Sequence, residues 1–277
     1  MEQQNIILAF AITLFAGLAT GIGSTIAFIA HKMGRSAISF ALGLSAGVML
    51  YVSFVELFVQ SQNILTEVYG NKIGGSIATV ALFAGIAIIW IIDFIIPDYE
   101  NPHEIRDVIP ESNSTKPKNV ETQEANSRKI KRVGLMTAVA IAVHNFPEGI
   151  STFITAIESP SLGIAIGLAI ALHNIPEGIA VSIPIYQSTG NRVKAFWYSF
   201  LSGLSEPLGA VISYFILAPY INDSLMGIIL AVVSGIMIYV SIDELLPAAR
   251  SYGKHHAAIL GVIMGMAIMA ITLLVIG

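Results

Sequence analysis

The residues best suited to chemistry lie in two nearly identical segments, AVHNFPEGI at 142–150 and ALHNIPEGI at 171–179. In each segment a histidine, an asparagine and a glutamate interrupt a long apolar run. His144 and Glu148 are four residues apart, so a helix places them on one face, and the second segment repeats that spacing. Each segment is therefore expected to present an imidazole, an amide and a carboxylate to one side of a helix.

This combination of groups in an apolar environment favours a bound divalent cation. A carboxylate inside a membrane costs several kcal/mol unless it is compensated, and a divalent metal supplies the opposite charge directly. Nitrogen and oxygen ligands of this kind suit Zn²⁺, Fe²⁺, Co²⁺ or Mn²⁺, and the absence of cysteine excludes thiolate ligands and disulfides. The spacing is not the HExxH of zinc proteases. The pattern predicts a transition-metal site.

Other polar or sulfur-bearing residues in the apolar runs are weaker candidates. Glu206, in GLSEPLGA, is expected to join the cluster as a second-metal or bridging ligand; the alternative is a structural pairing with Ser202 or with another helix. Met49 is a packing residue by default, although a thioether can act as a soft ligand. Glu56 and Glu244 lie near helix ends, where each is either a waypoint for a cation or a solvated interfacial carboxylate.

The composition indicates which structural elements position these candidate ligands. Of the 277 residues, 55% are hydrophobic and only 12% are charged, whereas soluble domains carry about a quarter charged residues. Apolar runs of eighteen or more residues predict membrane-spanning helices, and runs of this length exclude barrel strands. We therefore expect an all-α integral membrane protein with eight transmembrane helices, at about 5–30, 37–59, 73–96, 133–157, 161–186, 195–218, 224–249 and 257–276.

The chain reads as one membrane domain with a polar insertion. Helices one to three occupy 1–96 and helices four to eight occupy 133–277, while the Pro-interrupted, charge-rich stretch at 97–132 predicts a flexible cytoplasmic loop. Thirteen of the fourteen Lys and Arg residues fall on one side of this layout. The positive-inside rule makes that side cytoplasmic and both termini extracytoplasmic.

The two motif helices are consecutive, antiparallel and joined by a short loop. His144 and His173 both lie about 17–20 Å from the cytoplasmic boundary, near mid-membrane, so the motifs should face each other. Pro147 and Pro176 each lack an N–H and should bend their helices, as is typical around transporter substrate sites. The glycine after each motif glutamate permits close approach. The plainer alternative is a pair of interhelical hydrogen bonds and two simple kinks.

On these two motifs and the SEP of the sixth helix, the sequence resembles the ZIP (Zrt/Irt-like) family of divalent metal transporters, and within it the bacterial ZupT-type branch. The resemblance covers essentially the whole chain. It implies a bundle with the antiparallel, kinked helices four and five at its centre, and a binuclear metal centre at mid-membrane.

The resemblance also implies a role for each candidate residue. The implied first metal site consists of His144, Glu148, His173 and Glu177, with Met49 alongside. The implied second site consists of Asn145, Glu148, Asn174, Glu177 and Glu206, with Glu148 and Glu177 bridging. Glu56 matches a helix-two position that approaches the centre, and Glu244 matches a helix-seven carboxylate on the inward release path.

We therefore expect a secondary transporter of the bacterial plasma membrane, and not an enzyme. It would take zinc, together with iron, manganese and cobalt, into the cytoplasm by alternating access, with Cd²⁺ also accepted. No resident cofactor and no nucleic-acid partner are expected; the partners are the metal ions and the lipid bilayer. ZIP relatives often form homodimers, so a homodimer is a further expectation.

Two other functions fit part of the pattern. An intramembrane metalloenzyme could use the same ligands, but it would need an open coordination position and a substrate gate. A passive channel could conduct the same ions, but tight binding at mid-membrane opposes fast release.

Overall fold

The computed structural model describes residues 3–29, 34–95, 120–217, 220, 222–252 and 254–276. Within these ranges the backbone is helical apart from short connections, and no strand occurs. This agrees with the predicted all-α membrane fold. Seven of the helices carry described stretches that are long and apolar enough to cross a membrane, and the motif helix that begins at Val120 is the eighth.

The helices follow the predicted order. They are α1 (Gln3–Ile29), α2 (Arg35–Tyr69), α3 (Asn71–Ile95), α4 (Val120–Glu158), α5 (Pro160–Thr189), α6 (Arg192–Ile216), α7 (Asp223–Ser251) and α8 (His255–Ile276). Wider, π-helical turns interrupt α2 at Val52–Leu57 and α7 at Ser241–Leu245. A third, Ser213–Leu217, ends α6 and continues one residue past Ile216.

Two helix boundaries differ clearly from the sequence prediction. The helix α2 continues to Tyr69 instead of ending near residue 59, because no helix-breaking residue occurs before Gly70, whose φ of 80° ends it. The helix α4 begins at Val120, so residues 120–132 of the predicted loop are helical. That stretch, VETQEANSRKIKR, is rich in good helix formers. The part of the predicted loop before Val120 lies outside the described residues.

The eight helices divide into two bundles of four. Bundle 1 consists of α1, α4, α5 and α6, in which α5 packs along α1, α4 and α6. Bundle 2 consists of α2, α3, α7 and α8, in which α2 packs along α8 and α7, and α3 packs along α7. Fewer contacts join the bundles, mainly from α5 to α2 and α8 and from α4 to α7.

Glycines bring helix backbones together inside each bundle. A Cβ at Gly178 would collide with the carbonyl oxygen of Thr20, and one at Gly43 would collide with that of Ala258. At many glycines an added Cβ would overlap a second helix. Among the described residues, that second helix always belongs to the same bundle as the glycine. Small residues allow such close packing in membranes. Each bundle is therefore joined backbone to backbone.

The boundary between the bundles has a different character, because side chains fill it. The main apolar cluster draws on both bundles, with Ile166 and Ile170 from α5, Met49 from α2, and Leu230 and Met237 from α7. A hydrogen bond also crosses the boundary: Ser45 Oγ donates to the carbonyl oxygen of His173 at 3.3 Å. The bundles are therefore two bodies that meet across a mostly aliphatic interface.

Candidate metal centre

The two sequence motifs lie in the middle of α4 and α5, inside bundle 1. Both helices continue through their prolines, Pro147 and Pro176, without ending. Since proline has no N–H, the carbonyls of Val143 and Leu172 lose their usual helical donors. The bend that this loss should cause stays a prediction.

The two motifs face each other. His173 Nε2 lies 3.3 Å from Glu148 Oε2, within hydrogen-bonding distance, and both side chains are fully buried. The spacing argument predicted this meeting of imidazole and carboxylate across antiparallel helices. Glu177 is also completely buried, one turn beyond His173 on α5.

The helix α6 adds a third carboxylate to the same place. Asn174 Nδ2 donates to Glu206 Oε1 and, at 2.9 Å, to the carbonyl oxygen of Ala16 on α1. Glu206 is fully buried, so it joins the cluster as its depth in the sequence predicted. Of the two structural alternatives, pairing with Ser202 does not occur, because Ser202 Oγ donates instead to the carbonyl of Ser199 at 2.7 Å. Pairing with another helix does occur, through the hydrogen bond from Asn174 on α5.

Several buried oxygens of this cluster have no hydrogen-bond partner. They are Asn145 Oδ1, Glu148 Oε1, Asn174 Oδ1 and Glu206 Oε2, and the amide nitrogen of Asn145 also lacks a partner. Buried polar atoms are almost always hydrogen-bonded in proteins, and leaving one unsatisfied costs about 1–3 kcal/mol. Four such oxygens from three helices of one bundle indicate a place prepared for a cation.

The electrostatics of the cluster lead to the same conclusion. Glu148 and Glu177 are both close enough to Glu206 for their charges to act on it. Every Lys and Arg whose side chain the structure describes is exposed, so none of them balances these buried carboxylates. Like charges in a low-dielectric interior require a bound cation or protons. Among the described side chains, no three His, Asp or Glu groups converge closely enough to hold an ion by themselves.

The amides and the remaining motif histidine are therefore needed to complete a ligand set. Asn145 is fully buried, four residues from Gly149, where α4 touches the backbone of Glu206. His144 is on the same helix, and its side chain lies outside what the structure describes. A site of N and O ligands from α4, α5 and α6 suits borderline divalent metals.

Two of the weaker candidates have surroundings that differ from those of the cluster. Met49 is completely buried in the main apolar cluster, one helical turn from Ser45, so its surroundings are those of a packing residue. Glu56 is half-buried in the π-helical turn of α2. It lies about 16 Å along α2 from Ser45, the residue that contacts His173.

Glu244 lies deeper than its sequence position suggested. Two hydrogen bonds fix the register of α2 and α7: Ser39 Oγ donates to the carbonyl of Ala249 at 2.6 Å, and Ser234 Oγ donates to that of Ser53 at 2.8 Å. Glu244 falls between these contacts and is buried in the π-helical turn of α7. Its depth is therefore closer to that of the cluster than to the end of the helix.

Sequence reasoning missed two participants. Ser45, which contacts the backbone of His173, carries no motif. The carbonyl of Ala16, which accepts from Asn174, is a backbone group that no side-chain pattern reports. The only sequence signal for Ser45 was its residue type, because a serine in an apolar helix generally needs a hydrogen-bond acceptor.

Comparison with known proteins gives close relatives over nearly the full length. A family model described as "ZIP Zinc transporter" matches residues 98–273. The "Zinc transporter ZupT" of Clostridium perfringens is 52% identical over 99% of this chain and 97% of its own length. Proteins of the same name from Streptococcus mutans and Oceanobacillus iheyensis are each 53% identical over 98% of this chain, and the match covers 98% and 99% of their lengths.

Proposed function

We propose that this chain, which belongs to the ZIP family of zinc transporters, carries zinc across the bacterial plasma membrane into the cytoplasm. It is a multi-pass membrane protein and a transporter, not an enzyme, as its family is. The ligand types also suit Fe²⁺, Mn²⁺, Co²⁺ and Cd²⁺, which we include as further substrates.

The observation that carries this proposal is the set of unpartnered buried oxygens beside three carboxylates in bundle 1. A dication arriving there gains the oxygens of Asn145, Asn174 and Glu206 that have no other partner, and its charge opposes the negative charge of the buried carboxylates. The cluster lies within helices that cross the membrane, so an ion held there has left water on both sides.

Following the pattern that the ZIP resemblance implies, we propose two adjacent ion positions. We assign the first to His144, Glu148, His173 and Glu177, with Met49 as a neighbouring soft donor. We assign the second to Asn145, Glu148, Asn174, Glu177 and Glu206. In this assignment Glu148 and Glu177 bridge the two ions, while Glu56 and Glu244 line the routes that lead to and from the centre.

The two-bundle architecture supports alternating access. Bundle 1 holds the whole proposed ion centre except Met49, and backbone contacts make it one body. Its boundary with bundle 2 is mostly aliphatic, so the two can shift without breaking many hydrogen bonds. Movement of bundle 1 against bundle 2 would expose the ions first to one side of the membrane and then to the other.

The charge distribution supports a topology with both termini outside the cell. In this orientation the helix end at Glu158 is extracytoplasmic and the beginning of α4 at Val120 is cytoplasmic. We also propose that the protein works as a homodimer, as relatives often do.

The test is metal uptake into proteoliposomes that contain the purified protein, with a panel of divalent ions. We expect saturable zinc uptake by the wild type and at least a tenfold loss in Glu177→Ala, because that residue contributes to both proposed ion positions. The matched control is Glu67→Ala, which removes an exposed carboxylate at the end of α2. Flux that rises linearly with zinc concentration would indicate a channel, and uptake by Glu177→Ala equal to that of the control would contradict the site.

The three carboxylates should not contribute equally. Glu206→Ala removes a ligand of only one proposed position, so we expect it to alter metal preference or affinity more than the maximal rate. Competition between zinc and manganese in the same vesicles measures this. Unchanged uptake and unchanged selectivity would make Glu206 a structural residue.

A further inference from the structure

Three buried hydroxyls near the metal centre have no hydrogen-bond partner. Buried Thr and Ser side chains in this protein commonly donate to the carbonyl four residues earlier, as Thr13 does at 2.8 Å and Ser53 at 2.7 Å. Thr152, Thr155 and Ser213 are at most 1% exposed and have no partner at all. Such groups require an explanation, for which an unseen water or ion is the usual one.

These hydroxyls lie on one side of the centre, toward the end of α4. Thr152 is four residues beyond Glu148 and Thr155 is three further, so all three share one face of α4. On α6, Ser213 follows Glu206 by seven residues and occupies the same face as that carboxylate. The two helices touch where Gly209 meets the backbone of α4. The three hydroxyls therefore extend the polar faces of α4 and α6 outward from the carboxylates.

Three hydroxyls on the opposite side of the centre behave differently. Ser182 Oγ donates to the carbonyl of Ile179 at 3.4 Å, Ser199 Oγ donates to that of Gly178 at 3.2 Å, and Ser202 Oγ donates to a carbonyl at 2.7 Å. Their hydrogen atoms are engaged by the backbone of bundle 1. A fourth buried hydroxyl without a partner, Thr20 Oγ1, lies on this opposite side, beside Gly178. Among the described residues, three of the four buried hydroxyls without a partner are therefore on the Glu158 side of the centre.

The face that carries the hydroxyls ends in a pair of acidic residues. Glu158 is the last residue of α4, three residues beyond Thr155, and Asp223 is the first residue of α7; both are exposed. The helices α4 and α7, which carry these two residues, pack against each other, and partial burial and the negative charge of Asp223 raise the pKa of the Glu158 carboxyl. A negative charge at a helix C-terminus is unfavourable. Glu158 therefore has two electrostatic penalties that a dication would relieve.

We propose that Glu158 and Asp223 capture the hydrated dication at the outer mouth and that Thr155, Thr152 and Ser213 lead it to the metal centre. This inference rests on the proposed function and its topology. The hydroxyl oxygens would replace shed water ligands one at a time, because hard oxygen donors suit a partly hydrated divalent ion. The hydroxyls are closed to solvent in this structure and lie on α4 and α6 within bundle 1, so the route opens when the outer ends of these two helices separate locally.

The capture step is tested with Glu158→Gln and Asp223→Asn in zinc uptake by proteoliposomes. We expect each to raise the KM about three- to tenfold at low ionic strength and to leave the maximal rate within about twofold, since steering charges act on encounter. The difference from wild type should disappear in about 1 M salt, where screening is strong. A KM equal to that of the control Glu67→Gln, or an effect independent of salt, would overturn the capture site.

The hydroxyl route is tested with Thr152→Val and Thr155→Val, which keep the shape and remove the oxygen. We expect the maximal rate to fall about tenfold while the equilibrium zinc affinity of the purified protein changes less than twofold. Thr13→Val is the control, because that buried hydroxyl is bonded to its own helix. Rates equal to those of Thr13→Val, or an affinity that falls as much as the rate, would overturn the route.

These outcomes separate this inference from the proposed function. If wild-type vesicles do not accumulate zinc, the proposed function fails. If the wild type transports zinc and the variants match their controls, only the capture site and the route fail.

Discussion

Bundles 1 and 2 use the same packing device around very different interiors. In each bundle, glycines bring neighbouring helix backbones into direct contact. Bundle 1 surrounds three carboxylates and oxygens without partners. Among the described residues, bundle 2 buries a single carboxylate, Glu244, and serines that are satisfied by the backbone, as when Ser61 Oγ donates to the carbonyl of Gly227 at 2.6 Å.

This difference shows that the packing that stabilises a bundle is independent of the polar groups that the bundle encloses. The polar cluster cannot be the source of stability in bundle 1, since unsatisfied buried groups and like charges are destabilising. Close backbone packing provides that stability, as it does in bundle 2. The cluster is therefore free to serve ion binding.

The largest effect should come from breaking the device that both bundles share. Gly178→Ala would push a methyl group into the carbonyl of Thr20 in bundle 1, and Gly43→Ala would do the same to Ala258 in bundle 2. We expect each to lower the free energy of unfolding by about 3 kcal/mol, measured by thermal unfolding in detergent. Gly75→Ala is the control, because its methyl group meets no atom within 4 Å. Either variant unfolding at the control's temperature would contradict close packing of that bundle.

A second experiment should show the difference between the bundles directly. At a zinc concentration about 100 times the Kd, binding should stabilise the wild type by about 2.7 kcal/mol. Hydrogen exchange should then slow in α4, α5 and α6 and stay unchanged in α3 and α8. Glu148→Ala should abolish both effects, whereas Glu67→Ala should keep them. Protection spread evenly over the two bundles would argue against an ion centre in bundle 1.

The smallest effect tests the boundary. Ser45→Ala removes a hydrogen bond between the bundles, and Ser61→Ala removes one within bundle 2; each bond contributes about 1 kcal/mol. Only the first should bias the relative position of the bundles, so we expect the maximal uptake rate to change by up to about fivefold. Ser61→Ala should lower stability with little change in rate. Equal rates for the two variants would show that the contact of Ser45 does not couple to transport.

Much of the fold could be predicted because the bilayer leaves few choices. Apolar length specifies the number and order of the helices, and it located α5 at 161–186 against an observed Pro160–Thr189. This argument does not predict the polar helix extensions at Val120 and Tyr69. Outside the bilayer, the length and hydropathy of a segment no longer indicate where a helix ends. The division into two bundles also escapes it, since glycines occur on most helices and a sequence does not reveal which backbone each one meets.

The site was predictable where spacing carries geometry. The four-residue interval from His144 to Glu148, repeated in α5, was enough to place the motifs face to face, and depth was enough to include Glu206. The surroundings of Met49 agree with its default prediction as a packing residue. The depth of Glu244 was not predictable, because it depends on the register between helices of bundle 2. That register is set by serine contacts to backbone carbonyls, which leave no pattern in the sequence.

The aliphatic boundary between the bundles has a consequence for the surrounding lipid. If bundle 1 shifts along the membrane normal, its apolar, lipid-facing surface no longer lines up with the hydrocarbon layer of the bilayer. Each ångström of this mismatch costs a fraction of a kcal/mol. Few polar contacts between the described residues of the two bundles resist this shift. The cost of hydrophobic mismatch is therefore a large part of the free energy of the transport cycle. Turnover should then depend on acyl-chain length, which makes bilayer thickness a physical control on the supply of metal.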